Sequence, residues 1–172
     1  MERSALEALG RILDRLGIRW VLAGALAANR YRVTTRLTQD VDLLLADHGP
    51  GLATLERELR SAGFELRRAS PQGEVLRLRH PELGAADLIA AGTDFERQAI
   101  ARARGESLPS GIEVRVLTPE DVIVLKLIAG RAQDLADLEA ILAARISLDE
   151  PYIEGWAERW EVLDLWRRVR GG

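Results

Sequence analysis

AGALAANRYRVTTRLTQDVDLLL, residues 23 to 45, places Gly24 at the head of an Ala-rich helix. An acid-free stretch carrying Arg30, Arg32 and Arg36 follows, and then Asp40 and Asp42 at the front of an apolar run. Side chains alternate between the faces of a strand, so Asp40 and Asp42 are expected on one face, with Val41 and Leu43 turned into the core. At a rise of ~3.3 Å per residue their Cα atoms stand about 6.6 Å apart. Two carboxylates held this close repel, so the arrangement calls for a cation or for donors, the plainer alternative being a surface turn at the start of a strand. Mg²⁺ suits such a pair, because it takes oxygen ligands and relies on one or two carboxylates plus substrate phosphates. In two-metal sites the ions stand ~3.5–4 Å apart and a further carboxylate completes the set.

Working outward, Leu6, Leu9, Ile12, Leu13 and Leu16 recur at helical spacing up to Gly17, and residues 18–22 read as a short strand. Residues 24–31 read as a helix and residues 41–45 as a buried strand. LATLERELRSAG is an amphipathic helix, FELRRA a strand and ASPQG a turn, and EVLRLRH alternates cleanly, with Arg77 and Arg79 on one face. AADLIAA looks like the return arm of a hairpin with that strand. Thr93 and Glu96 form a capping box for a helix, GESLPSG reads as a loop and IEVRVL as a strand. From Thr118 the pattern becomes three helices in a row, the first with Pro119 at its first position. The expected division is a mixed α/β core over 1–117 and a helical region over 118–172 packed on it.

Asp87 lies within AADLIAA, between apolar residues, where an unpaired carboxylate is expensive. It is the candidate third ligand; the plainer alternative is that it ends a strand and caps a neighbouring group. A strand followed by Gly24 and a helix offers backbone N–H groups to a phosphate, and glycine permits close approach. Arg30, Arg32 and Arg36 are candidates to hold the phosphates of a nucleotide or of an acceptor, the alternative being a solvated helix face and loop.

The whole chain sets limits on these readings. It has 172 residues, enough to bury ~70% of the surface its unfolded form exposes, so a real core is available. There are no cysteines, and His48 and His80 lie far apart, which leaves no thiolate chemistry and no histidine zinc site in view. Net charge is −3, so bulk charge does not favour a polyanion, although local patches can. Among 24 basic residues Lys126 is the one lysine, which suggests a geometric demand for a compact charge, the plainer alternative being a side chain that snorkels from its helix. No apolar run reaches the ~18 residues of a membrane span, and the charged amphipathic N-terminal helix is unlike a signal peptide, so a cytoplasmic protein is expected.

The order strand, Gly, helix, arginine-bearing loop, D-x-D strand and later third acid resembles the nucleotidyltransferase superfamily with the polymerase β-like fold. More narrowly, GALAANRYRVTTRLTQDVDLLL together with PEDVIVLKLIAGRAQDLADLEAIL resembles the AbiEii-type nucleotidyltransferases of type IV toxin-antitoxin systems, over roughly residues 18–143. The resemblance implies an α+β fold, a mixed sheet flanked by helices and followed by a small helical segment. It makes Gly24 the phosphate-loop glycine, Asp40 and Asp42 the metal ligands and Asp87 the third acid, which helps activate the acceptor hydroxyl. Lys126 matches the helix lysine that contacts nucleotide phosphate, and Asp134, with Asp137 one turn on, matches the acidic positions that follow. In the residues themselves, Asp134 and Asp137 can equally pair with Arg131 and its neighbours.

Ala25 stands where the family motif has Ser or Gly, so a hydroxyl that bonds phosphate is missing while the backbone N–H groups remain. The implied nucleotide site is Gly24, Ala25, Arg36, Lys126 and Asp134, and the implied catalytic set is Asp40, Asp42, Asp87 and Lys126. Two Mg²⁺ ions, with Mn²⁺ as the substitute, are the implied cofactors. The expected reaction moves an NMP from an NTP to a hydroxyl of tRNA, protein or a small molecule and releases pyrophosphate.

Two other readings stay open at this level. One is a nucleotide- or protein-binding module of a two-component system with an antitoxin-like partner, which has lost turnover. The other is an aminoglycoside-type enzyme, for which Glu150, Glu154, Glu158 and Glu161 of the tail offer an acidic pocket. For an RNA acceptor the tail sequence RRVR, residues 167–170, offers phosphate contacts.

Overall fold

A computed structural model of the chain describes residues 4–38, 40–70, 74–107, 111 and 113–171. Helix α1 (Ala5–Arg15) starts at Ser4, whose hydroxyl accepts from the Glu7 N–H, and it buries Leu6, Leu9, Ile12 and Leu13. Strand β1 (Trp20–Leu22) follows, then α2 (Gly24–Ala28), β2 (Val41–Leu45), α3 (Leu52–Ser61) and β3 (Glu65–Arg68). Next come β4 (Val75–His80), β5 (Gly84–Ala90), α4 (Asp94–Arg102), β6 (Arg104–Ser107) and β7 (Glu113–Val116). The chain ends in α5 (Pro119–Ala129), α6 (Ala132–Ala143), α7 (Glu150–Arg159) and α8 (Leu163–Gly171).

The strands form one seven-stranded sheet in the order β3-β4-β5-β2-β1-β7-β6. β2 runs parallel to β5 and β1 parallel to β7, while the other neighbours are antiparallel, so the fold is α+β with a mixed sheet. β2 is central and buries Val41, Leu43, Leu44 and Leu45, as a strand covered on both faces must. β4 and β5 form the expected hairpin. Thr93 and Glu96 make the expected capping box, and Thr118 caps α5 with Pro119 in its first turn. The sheet and the terminal helices share one apolar core, in which Leu43, Leu88 and Val116 lie with Ile123, Ile141 and Trp166.

Several local expectations change. The helix expected over 24–31 ends at Ala28 and tightens into a 3-10 turn over Asn29–Tyr31. The strand expected over 18–22 starts at Trp20. GESLPSG is not all loop: Arg104–Ser107 pair with β7 as an edge strand, because the register with Glu113–Val116 satisfies their backbone groups. Residues 108–110 and 112 lie outside the described residues, as do 71–73 of the expected turn ASPQG. The third tail helix is in fact two, α7 and α8, broken at Trp160–Glu161, where Glu161 takes a left-handed φ of 57°. Of the tail tryptophans, Trp166 is buried, Trp156 packs edge-on against Phe95 and Trp160 stays exposed.

Candidate active site

The site is built on the register between β2 and β5. Asp42 of β2 stands directly opposite Asp87 of β5, so both carboxylates rise from the same face of the sheet on neighbouring strands. Asp40 precedes the first paired residue of β2 and is exposed. Burial pushes the Asp42 carboxyl above its ordinary range, and the charges of Asp87 and Asp40 push it further. Lys126 and the backbone N–H of Ala25 pull the other way. Asp87 is also raised, first by burial and then by Asp40, against the opposing charges of Arg77 and Arg67.

Gly24 closes over Asp42. Its φ is +58°, and a Cβ built on it would lie 1.8 Å from Asp42 Oδ2 and 2.6 Å from its Cγ. Only a residue without a side chain lets the start of α2 approach the carboxylate this closely. The Ala23 N–H donates to the Asp42 backbone carbonyl at 2.9 Å, which ties the α2 entry to β2. The strand–Gly–helix unit and the D-x-D strand are therefore one piece of structure.

Lys126 rises from α5 into a buried cluster. Its Nζ donates to Asp137 Oδ2 at 2.6 Å and to Asp134 Oδ1 at 3.2 Å. Asp134 also accepts from Arg131 Nε at 2.7 Å, and Asp137 accepts from Arg32 at 2.6 Å and from Arg36 Nε at 3.1 Å. Burial alone would raise both carboxyls, but hydrogen bonds and charges from Arg131 and Lys126 hold Asp134 below its ordinary range. Arg36 and Lys126 do the same for Asp137. Lys126, Arg32, Arg36 and Arg131 thus surround two carboxylates, and the positive surplus borders Asp42, which feels the charge of Lys126.

The three loop arginines singled out in the sequence are engaged within the chain. Arg30 pairs with Glu106 at 2.6 Å, whereas Arg32 and Arg36 converge on Asp137. Asp137 is the hub that links the loop after α2 to α6, a role that no local sequence pattern marks. The pairing of Asp134 with Arg131, three residues apart on one helical turn, follows from sequence spacing alone.

Gly24, Ala25, Arg36, Asp40, Asp42, Asp87, Lys126 and Asp134 all line one open cleft of about 1370 Å³. Arg67, Arg77 and Arg79 of β3 and β4 line it too, and sequence reasoning did not place them there. Their signal was the polar half of an alternating strand, which marks an exposed face without saying what the face borders. Arg77 is paired with Asp87 in the sheet register, and its Nε lies 3.5 Å from Asp87 Oδ2.

The chemistry of the donors fits a hard divalent cation. Asp42 and Asp87 supply carboxylate oxygens on one face. Asp40 stands exposed in the lining of the same cleft. Among the described residues, no three His, Cys, Asp or Glu side chains already converge as a metal cage. Among the described residues no helix is long and apolar enough to cross a membrane.

A family model described as nucleotidyl transferase AbiEii toxin, type IV TA system, matches residues 7–165. No curated protein matches the chain. Among solved structures, the fold is similar to lincosamide antibiotic adenylyltransferase LnuA bound to lincomycin, with a TM-score of 0.58 and 14% identity over 82% of this chain and 98% of that one. It is similar to ANT(2")-Ia in complex with adenylyl-2"-tobramycin, with a TM-score of 0.58 and 19% identity over 97% of each chain. An antigenic nucleotidyltransferase-like protein from Paracoccidioides brasiliensis aligns with a TM-score of 0.51 and 20% identity, over 82% of this chain and 76% of that one. At these identities the likeness concerns the fold.

Proposed function

The chain belongs to the AbiEii nucleotidyl transferase family, and from that premise we propose that it moves an NMP from an NTP to an acceptor hydroxyl and releases pyrophosphate. The observation that carries the reading is the in-register pair Asp42 and Asp87 with Gly24 closed over Asp42. Lys126 presents a point charge at the edge of this pair, suited to the phosphates of the nucleotide. Asp87, at the outer end of the pair, takes the proton of the acceptor hydroxyl. The new bond joins that oxygen to the α-phosphorus, and the bond from the α-phosphorus to the pyrophosphate oxygen breaks. Asp42 and Asp87, with Asp40 beside them, would hold Mg²⁺, which would supply charge stabilisation to the phosphoryl oxygens. Catalysis then rests on positioning and electrostatics, as phosphoryl chemistry generally does.

A second reading, a nucleotide-binding module without turnover, has one observation in its favour. Ala25 brings no hydroxyl to a phosphate. In either reading the family description makes an antitoxin-like protein the proposed partner. The test incubates the protein with α-labelled NTPs, Mg²⁺ and RNA, cell protein or aminoglycosides, beside Asp42→Ala. Label on an acceptor with the wild type and none with the variant is the expected result. Equal labelling by both would sink the catalytic reading, and NTP binding without transfer to any acceptor would establish the second one.

A further inference from the structure

The row of paired residues that contains the two carboxylates continues beyond them. From the centre of the sheet outward, Asp42 of β2 faces Asp87 of β5, Asp87 faces Arg77 of β4, and Arg77 faces Arg67 of β3. Residues paired in register share a face, so all four side chains project from one side of the sheet. Arg79, two residues along β4, joins them there, and all three arginines line the cleft. At this end three arginines stand with two acids, Asp87 beside Arg77 and Glu65 opposite Arg79 in register, which leaves a net positive charge. Among the described residues Arg67 and Arg79 form no ion pair, and both are exposed, as is Arg77.

The two ends of the carboxylate row differ. Lys126 acts on Asp42 from the α5 side, within a cluster of ion pairs, whereas Arg77 and Arg67 act on Asp87 from the edge of the sheet. An in-line displacement needs its donor and its acceptor on opposite sides of the reacting phosphorus. With the nucleotide phosphates at Lys126, the acceptor approaches along β4 and β3. Arg67 and Arg77 face each other across ~4.8 Å of strand spacing, and Arg77 and Arg79 lie ~6.6 Å apart along their strand. Three cations so spaced suit a ligand with successive negative charges. A cationic aminoglycoside would meet like charge there, at several places at once.

We propose that Arg67, Arg77 and Arg79 form the acceptor subsite, and that they hold the phosphodiester backbone of a single-stranded RNA whose terminal hydroxyl reaches Asp87. This rests on the transferase reading of the Asp42–Asp87 pair. Each arginine contacts phosphate rather than a base, so binding depends strongly on salt and weakly on sequence. Arg77 also stays beside Asp87, and Arg67 and Arg79 are therefore the residues to change.

The test measures fluorescence anisotropy of a labelled short single-stranded RNA with the full chain, in EDTA and without NTP, across a salt series. For a single strand, removing one arginine that neutralises a phosphate lowers the slope of log K against log salt by ~0.7. Arg67→Ala with Arg79→Ala is expected to lower it by about 1.4. Arg67→Lys with Arg79→Lys keeps the slope, and Arg167→Ala with Arg168→Ala in the tail leaves it unchanged. Failure of the wild type to bind RNA, an unchanged slope in the Arg67 and Arg79 double variant, or an equal loss from the tail variant overturns the proposal. Stronger competition by a phosphopeptide than by unlabelled RNA overturns it as well, in favour of a protein acceptor.

Transfer of α-labelled NMP to an aminoglycoside and not to RNA would also overturn the subsite, while the transferase reading would stand. The expected slopes with no transfer to any acceptor would instead leave the arginine wall in place and remove turnover.

Discussion

Asp42 and Asp87 face each other in register on the parallel strands β2 and β5, and each carboxyl is held above its ordinary range by burial and by neighbouring negative charge. The chain tolerates two adjacent half-buried acids at the centre of its sheet, at a cost to its own stability. Such a cost concentrates at sites where the charge is used.

Replacing Asp42 with Asn removes the repulsion and keeps the shape. Asp42→Asn is expected to raise the melting temperature while abolishing NMP transfer. A gain of ~1 kcal/mol corresponds to about 2–4 °C in a chain of this size. Differential scanning calorimetry beside a transfer assay checks both halves, and a lower melting temperature would contradict the electrostatic account.

Gly24→Ala tests the closure over Asp42. The added methyl group would overlap the carboxylate, and the left-handed backbone at φ +58° costs roughly 1–2 kcal/mol for a residue with a Cβ. The expected outcome is a lower melting temperature and at least ~10²-fold slower transfer, since small displacements of reacting groups have effects of that order. Retained activity in the steady-state assay would mean that the approach of α2 to Asp42 is not needed.

Lys126→Met strands Asp134 and Asp137 with fewer partners in a buried cluster. Breaking a buried ion pair from one side destabilises by ~3–5 kcal/mol, and Arg32, Arg36 and Arg131 offset part of that here. Urea denaturation is expected to give a lower midpoint at unchanged slope. Lys126→Met combined with Asp134→Asn recovers part of the loss, because the uncompensated charge goes with it. Additive losses in that double-mutant cycle would show that the two residues are not coupled.

Acid stability has a sign set by the same cluster. The folded state holds Asp134 and Asp137 below the ordinary carboxylate range, so their contribution is complete above the unfolded value of ~3.9 and is lost as pH falls through the folded values. Asp42 works in the opposite sense. Its folded value is raised, so its cost is complete above that raised value and disappears as pH falls below the unfolded one. Urea midpoints are therefore expected to fall steeply below about pH 4, with Asp137→Asn flattening the fall and Asp42→Asn leaving it in place.

Tyr152 fastens α7 to α5. Its hydroxyl donates to the fully buried Asp121 at 2.6 Å, and the Arg102 guanidinium stacks 3.9 Å over its ring while donating to the same carboxylate. Tyr152→Phe removes a hydrogen bond to a charged group, a loss of ~1.5–3 kcal/mol. Hydrogen exchange is expected to rise in α7 more than in β2 or β5. Uniform loss of protection would mean that the terminal helices and the sheet open together.

Much of the architecture is legible in local chemistry. Alternation in EVLRLRH and the apolar run AADLIAA mark the β4–β5 hairpin, and Thr93 with Glu96 marks the start of α4, because periodicity and capping depend on residues close in the chain. The break at Trp160–Glu161 escapes such reading, since WAERWEVLDLW keeps helical periodicity through a turn that only packing imposes. The edge strand β6 escapes it for a related reason. Its residues have weak strand character, and their backbone groups are satisfied by β7.

For the site, the sequence by itself determined the ingredients: a glycine after a strand, Asp40 and Asp42 at the head of a buried strand, Asp87 among apolar residues and Lys126 in a helix. Tertiary structure alone decided what each one meets. Parallel pairing sets Asp87 beside Asp42 across forty-odd residues of chain, and helix packing makes Asp137 the anchor of Arg32, Arg36 and Lys126. The hairpin turns Arg77 and Arg79 from an exposed strand face into a wall of the cleft. The physical reason is that strand register and side-chain charge pairing are long-range. The alternation of a strand tells which face a residue occupies, but the neighbouring strand tells what that face is for.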